Sequence, residues 1–183
     1  MVEKPLLASD IYAKYVGEDG DVTWPEDPAE RMLLARALYG RELIGDFDYW
    51  LDHAIDLIEN PEPARPFERE NELSRKDRYF REHLSTLTDD QKRAVRNLVR
   101  STVHGAIFSM LVNVDQSGNG DYKLTLSPRY TDLTVLIAPD PPNDLHDELD
   151  DWILSFSKFA DEILGLREGK WGWEFYFKEF YKE

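Results

Sequence analysis

The sequence predicts an α+β fold: a mainly helical, single globular domain over residues 1–183 with a small antiparallel β-hairpin or meander. Three observations carry this. Long stretches repeat apolar residues at steps of three and four, the helical period. Two short runs, 122–127 (YKLTLS) and 132–138 (DLTVLIA), read instead as strands joined by a turn. The chain is 183 residues long and 42% hydrophobic, enough for one core of ordinary size.

From the start of the chain, residues 6–16 predict a short helix with Leu7, Ile11 and Tyr15 on one face. Residues 17–28 (GEDGDVTWPEDP) are turn-rich, and Trp24 is expected to plug into the core. Asp27 or Pro28 opens a helix over 29–40, with proline in the first turn, where no N–H is needed. A second helix is expected from Arg41 or Asp46 to Glu59, its three-four stripe being Phe47, Trp50, Leu51, Ala54, Ile55 and Ile58. The prolines of 60–66 (NPEPARP) stop it. Residues 67–84 are charged and helical in propensity, with a sparse seam of Leu73, Tyr79, Phe80 and Leu84.

Residues 88–114 read as the central core helix. Thr88 and Gln91 have the spacing of a capping box, and Asp89 and Asp90 favour the positive end of the helix dipole. Lys92, Arg93, Arg96 and Arg100 fall opposite the apolar stripe, and after Gly105 the polar face nearly vanishes, as in a buried helix. Residues 106–114 are also a nine-residue apolar run that reads as a strand, in which case they supply a third strand to the hairpin; the unbroken three-four stripe favours helix. Further on, Asn143 is expected to cap a helix over 144–164 with the stripe Leu145, Leu149, Trp152, Ile153, Phe156, Phe159, Ala160, Ile163 and Leu164, and Gly165 to end it. The last fifteen residues hold seven aromatics, including Trp171 and Trp173.

Charge and composition bound the function. The formal net charge is −15, so most of the surface repels a phosphate backbone and no nucleic acid is expected as a partner. A basic protein partner suits it, through electrostatic steering; acidity serving solubility alone is the plain alternative. The charge is polarised. Ten Lys/Arg face seven Asp/Glu between residues 65 and 100, whereas 140–162 carries eight acids against Lys158. Acidic helices lying beside basic ones within the chain would account for this. No cysteine is present, which removes disulfides, thiol catalysis and cysteine-bound metals and suits a reducing cytoplasm. The first ten residues lack the pattern of a signal peptide, and no apolar run reaches the length that spans a membrane, so no membrane association is expected. The oligomeric state is left open.

Four groups of residues are candidates for function. Asp115, Ser117, Asn119 and Gly120, with Asp121 behind them, resemble the first half of an EF-hand calcium loop, but Leu126 stands where the bidentate Glu belongs. A tight β-turn uses the same residue types and is the favoured reading. Asp46, Asp48, Asp52 and Asp56 with His53 form an acidic helical array, the second metal or acid–base candidate, though without a recognised His spacing it reads first as a wet helix face. His104 reads as a hydrogen-bonded core histidine and His146 as a surface residue. The acids Asp144, Asp147, Glu148, Asp150 and Asp151, with Trp171 and Trp173 as aromatic anchors, are the expected partner-binding face. No nucleophile elbow, phosphate loop or dinucleotide motif occurs, so no cofactor is expected and a non-enzymatic role is favoured.

Size, acidity, lack of cysteine and lack of a catalytic signature resemble general features of bacterial immunity proteins, which mask a basic toxin. The resemblance implies an acidic cytoplasmic inhibitor. A carboxylate-based enzyme or metal protein around Asp48, Asp52 and His53, and a structural subunit of a larger assembly, are the alternatives.

Overall fold

The computed structural model describes residues 6–60, 62, 70–116, 123–128, 132–138, 144–161 and 163. Among them are the helices α1 (Ala8–Tyr15), α2 (Pro28–Glu59), α3 (Glu72–Ser85), α4 (Asp89–Asp115) and α5 (Leu145–Phe156), and the strands β1 (Leu124–Leu126) and β2 (Val135–Ala138). The fold is mainly helical α+β, as expected. The strands pair antiparallel, Leu124 opposite Ala138 and Leu126 opposite Val135, with an irregularity between Leu124 and Thr125. On β2, Val135, Ile137 and Ala138 are buried and Leu136 is turned outward. Residues 106–114 lie within α4, so the third-strand alternative is set aside. Among the described residues, no helix is long and apolar enough to cross a membrane.

The chain groups into two compact units, Met1–Asp46 with Ile107–Glu183, and Phe47–Ala106. In the first, α1 docks on α5 through its N-terminal donors. The Ala8 N–H donates to Asp151 Oδ2 at 2.9 Å and the Ser9 N–H to Ser155 Oγ at 3.2 Å, while Tyr12 meets Phe156 edge-on. After α1 the chain turns at Gly20, whose φ of 83° is a conformation that glycine adopts without strain. Trp24 beyond it is half-buried rather than a core plug, and Pro25 is buried. Asp27 Oδ1 then accepts from the N–H groups of Ala29 (2.7 Å) and Glu30 (3.1 Å), which starts α2 at Pro28.

The expected break near Gly40 does not occur; α2 is one helix of 32 residues. Gly40 is there for packing. A Cβ at this position would fall well under 3.0 Å from Cγ, Cδ1 and Cδ2 of the Trp152 indole, which is fully buried on α5. The missing side chain lets the indole lie against the α2 backbone, with Tyr39 edge-on to it. In the same unit Leu34, Ala35, Ala37, Ile44, Leu111, Leu145, Leu149 and Ile153 are also buried. The α5 stripe is thus buried as expected up to Ile153, but the helix ends at Phe156 rather than 164, with Ser157 extended (ψ 134°). Ser157 Oγ accepts from the Phe159 N–H, a local bond that competes with continuing the helix. Gly165 lies outside the described residues.

In the second unit, Phe47, Leu51 and Ile58 of α2 are buried. Asn71 and Ser74 form a reciprocal cap at the start of α3, bonded at 3.0 and 2.9 Å. Arg81, only 3% exposed, pairs with Asp77 on its own helix and with Asp56 on α2. Its Nη1 also donates to the carbonyl of Asn60 (3.0 Å), just past the end of α2, and to that of Asp56 (3.2 Å), which the Asn60 N–H shares. With Arg96 to Glu59 at 3.0 Å, these contacts set basic α3 and α4 beside acidic α2. The expected apolar seam on α3 is not a core seam: Leu73, Tyr79 and Phe80 are exposed.

The capping box of α4 forms, with the Thr88 N–H donating to Gln91 Oε1 at 2.9 Å and the Gln91 N–H to Thr88 Oγ1 at 3.3 Å. Its expected role as the central core helix is corrected. Among its described residues only Leu111 and Asp115 are buried, and Leu98 and Met110 are exposed. An apolar stripe states what a helix is able to bury; the core is where facing stripes meet, and here that is α2 against α5.

Gly40 and Gly45 separate packing from helix propensity. Gly40→Ala is expected to destabilise the protein by about 1–3 kcal/mol through overpacking against Trp152. Gly45→Ala, which meets nothing within 4 Å, is expected to stabilise it by about 0.5–1 kcal/mol. Chemical denaturation of the two variants checks both signs.

Candidate functional site

The first turn of α5 gathers the most concentrated chemistry among the described residues. Helix starts leave N–H donors without partners. Asp144 occupies the N-cap position in extended conformation but makes no side-chain cap bond. The cap comes from another helix. Asp115, the last residue of α4, accepts the Leu145 N–H on Oδ1 and the His146 N–H on Oδ2, each at 3.0 Å. The expected cap, Asn143, lies outside the described residues.

Asp115 also fixes the imidazole. Its Oδ2 lies 2.8 Å from His146 Nδ1, and since a carboxylate only accepts, Nδ1 is the protonated nitrogen. Nε2 is thereby turned towards Asp147 Oδ1, 3.6 Å away. Phe108 of α4 packs edge-on to the ring, at 5.4 Å between centroids. Ligand-capable atoms of Asp144, His146 and Asp147 all lie within 4.8 Å of one another. The hydrogen bond to Asp115 holds the imidazole above the usual histidine range, helped by the charges of Asp147, Asp115 and Asp144 and opposed by burial. His146 is therefore not the surface residue expected; its side chain is 21% exposed and that of Asp115 only 2%.

Behind this turn lies a buried ion pair. Arg36 of α2, 1% exposed, donates Nε (3.1 Å) and Nη2 (2.9 Å) to the Ile137 carbonyl of β2, and Nη1 to Glu148. Burial holds the Glu148 carboxyl above the usual carboxylate range, opposed in part by the Arg36 guanidinium. One turn on, Asp151 accepts the Ala8 N–H on Oδ2, while its Oδ1 is buried without a hydrogen-bond partner among the described residues; burial lifts this carboxyl too.

The five acids expected to form one partner-binding face are thus dispersed. Asp147 is exposed, Asp144 and Asp150 are half-buried, and Glu148 and Asp151 are engaged with Arg36 and α1. The physical reason is helical geometry: position 148 lies beside 145 and 152 at the edge of the buried stripe, and position 151 lies with 155 on the side that meets α1. Trp171 and Trp173 lie outside the described residues. So do Ser117, Asn119 and Asp121 of the calcium-loop candidate, whose first member, Asp115, ends a helix and has both oxygens engaged. In the α2 array, Asp52 and His53 are exposed and Asp56 belongs to Arg81, whose hydrogen bond holds the Asp56 carboxyl below the usual range. His104 is half-buried. Sequence reading missed Asp115 as a cap and Arg36 as a buried cation; their partners lie 30 and more than 100 residues away, beyond any local signal.

No protein-family model matches the sequence, and no curated protein or solved structure matches it significantly.

Two outcomes follow from these ion pairs. Glu148→Gln removes the counter-charge of a buried guanidinium and is expected to destabilise by about 1.5–3 kcal/mol, whereas Asp147→Asn on the exposed side changes stability by less than about 0.5 kcal/mol, both read by urea denaturation. Asp56 has a lower pKa folded than unfolded, so its contribution is complete above about pH 3.9 and is lost as acid passes the folded value. The stability difference between wild type and Asp56→Asn is therefore expected to be constant near neutrality and to shrink below about pH 3.9, measured as urea midpoints across the acid range.

Proposed function

We propose that this chain is an acidic, non-enzymatic protein-binding module that takes a basic protein partner, in its concrete form an immunity-type inhibitor that masks a basic toxin in the cytoplasm. The observation that carries the reading is the placement of charge. Residues 1–46 and 107–183 hold 25 Asp/Glu against 12 Lys/Arg, a balance of −13, while residues 47–106 hold 12 against 10, a balance of −2. Nearly all the excess negative charge thus belongs to one unit. Self-repulsion of that size opposes compaction, and a basic partner relieves it.

The acids available to a partner differ from those on α5. Glu18, Asp19, Asp21, Glu26 and Asp27 are all exposed, in the segment between α1 and α2 that turns at Gly20. Exposed carboxylates of this kind steer encounter and set salt dependence, whereas acids already paired inside the fold contribute neither. Asp147 adds to the exposed set.

The test is affinity capture with the full chain as bait at low and high salt, followed by kinetics with the captured protein. A stoichiometric basic partner is expected, released by salt, with the association rate falling by about ten-fold or more in the triple variant Glu18→Lys, Asp19→Lys, Asp21→Lys while its thermal unfolding stays close to wild type. A partner of neutral or acidic charge, or an unchanged rate and salt dependence in the variant, would overturn the reading.

A further inference from the structure

We infer that the first turn of α5 is a binding site for a divalent transition-metal ion of the zinc class, with His146 Nε2 and the carboxylates of Asp144 and Asp147 as ligands and Asp115 as the positioning residue behind the imidazole. Carboxylates at a helix N-terminus are ordinary partners of the dipole, so Asp144 and Asp147 alone argue nothing. The imidazole changes the reading. A histidine that ligates through one nitrogen characteristically gives its other N–H to a carboxylate, which sets tautomer and ring direction. Asp115 supplies that partner from a different helix, with a side chain only 2% exposed, at 2.8 Å from Nδ1. Phe108 fixes the plane of the ring from the same helix. The other nitrogen, Nε2, is then the one that faces Asp147, 3.6 Å from its Oδ1, and His146, Asp144 and Asp147 each offer a ligand-capable atom within 4.8 Å of the others.

The chemistry selects the ion. One imidazole nitrogen with two carboxylates suits a borderline divalent cation, whereas calcium and magnesium prefer an all-oxygen set. Three protein ligands leave a coordination position for water. The positive end of the α5 dipole opposes a cation, but Asp144 and Asp147 answer it directly, and Asp115 adds a third negative charge one imidazole away. All three ligands come from one short segment, 144–147, so the rigidity of the site depends on Asp115 holding the helix start and the ring together.

Zn²⁺ titration of the chelator-treated full chain, read by calorimetry and by imidazole ¹⁵N–¹H spectra, tests this. One equivalent is expected to bind, and of the four histidines His146 is the one whose Nε2 resonance moves. His146→Gln and, on the exposed side, Asp147→Asn are each expected to weaken binding by about 10-fold or more, and Asp115→Asn by about 10–100-fold through the ring orientation. Asp147→Asn keeps every hydrogen bond of the helix start, so its result does not depend on the tolerance of the buried positions. Zn²⁺ binding that leaves the His146 resonance in place, affinity unchanged in both ligand variants, or no binding at all would overturn the site.

Discussion

The buried guanidinium of Arg36 is the constraint around which the larger unit is arranged. A cation out of water is tolerated only when its donors are matched, and each buried donor left unmatched costs about 1–3 kcal/mol. Arg36 meets this with three donors directed at two other elements, the Ile137 carbonyl of β2 and the Glu148 carboxylate of α5. The register of the hairpin and the rotation of α5 are therefore tied to one residue of α2. Once α5 is turned to offer Glu148 to Arg36, Leu149, Trp152 and Ile153 enter the core, and Trp152 needs the bare backbone of Gly40. A two-stranded hairpin is marginal by itself, and this connection gives it something to hold.

The same logic recurs at smaller scale. Asp115 is buried and spends both oxygens on the start of α5 and on His146, joining the end of one helix to the beginning of another. Arg81 reaches the end of α2 as Asp115 reaches the start of α5, donating to the Asn60 carbonyl just past the helix and sharing the Asp56 carbonyl with the Asn60 N–H. Each is a charged side chain used as a helix cap from a distance. Acidic composition is accordingly a poor measure of acidic surface here. Glu148, Asp151, Asp115 and Asp56 count towards the net charge of −15 but serve the fold, while the exposed carboxylates between α1 and α2 face the solvent.

The unit of residues 47–106 has a different character. Its charges nearly balance, and it exposes Tyr49, Trp50, Leu73, Tyr79, Phe80 and Leu98. Tyr79 and His83, one turn apart on α3, lie with ring centroids 4.0 Å apart. The charged seam between α2 and α3 does the holding that a wider apolar core does in the other unit.

The sequence by itself determined whatever rests on neighbours a few residues apart. The Thr88–Gln91 box, the start of α2 at Asp27 and Pro28, the alternating hairpin and the α5 stripe up to Ile153 were legible because each is closed by local backbone geometry and period. Tertiary structure alone decided the rest. It made α2 continuous through Gly40 because an indole from α5 fills the place of the missing side chain. It left much of the α4 stripe exposed because burial depends on which faces meet, and it took the cap of α5, and with it the direction of His146, from a carboxylate 30 residues earlier. These are long-range pairings, and no local pattern encodes which distant group will answer a buried charge or an open helix end.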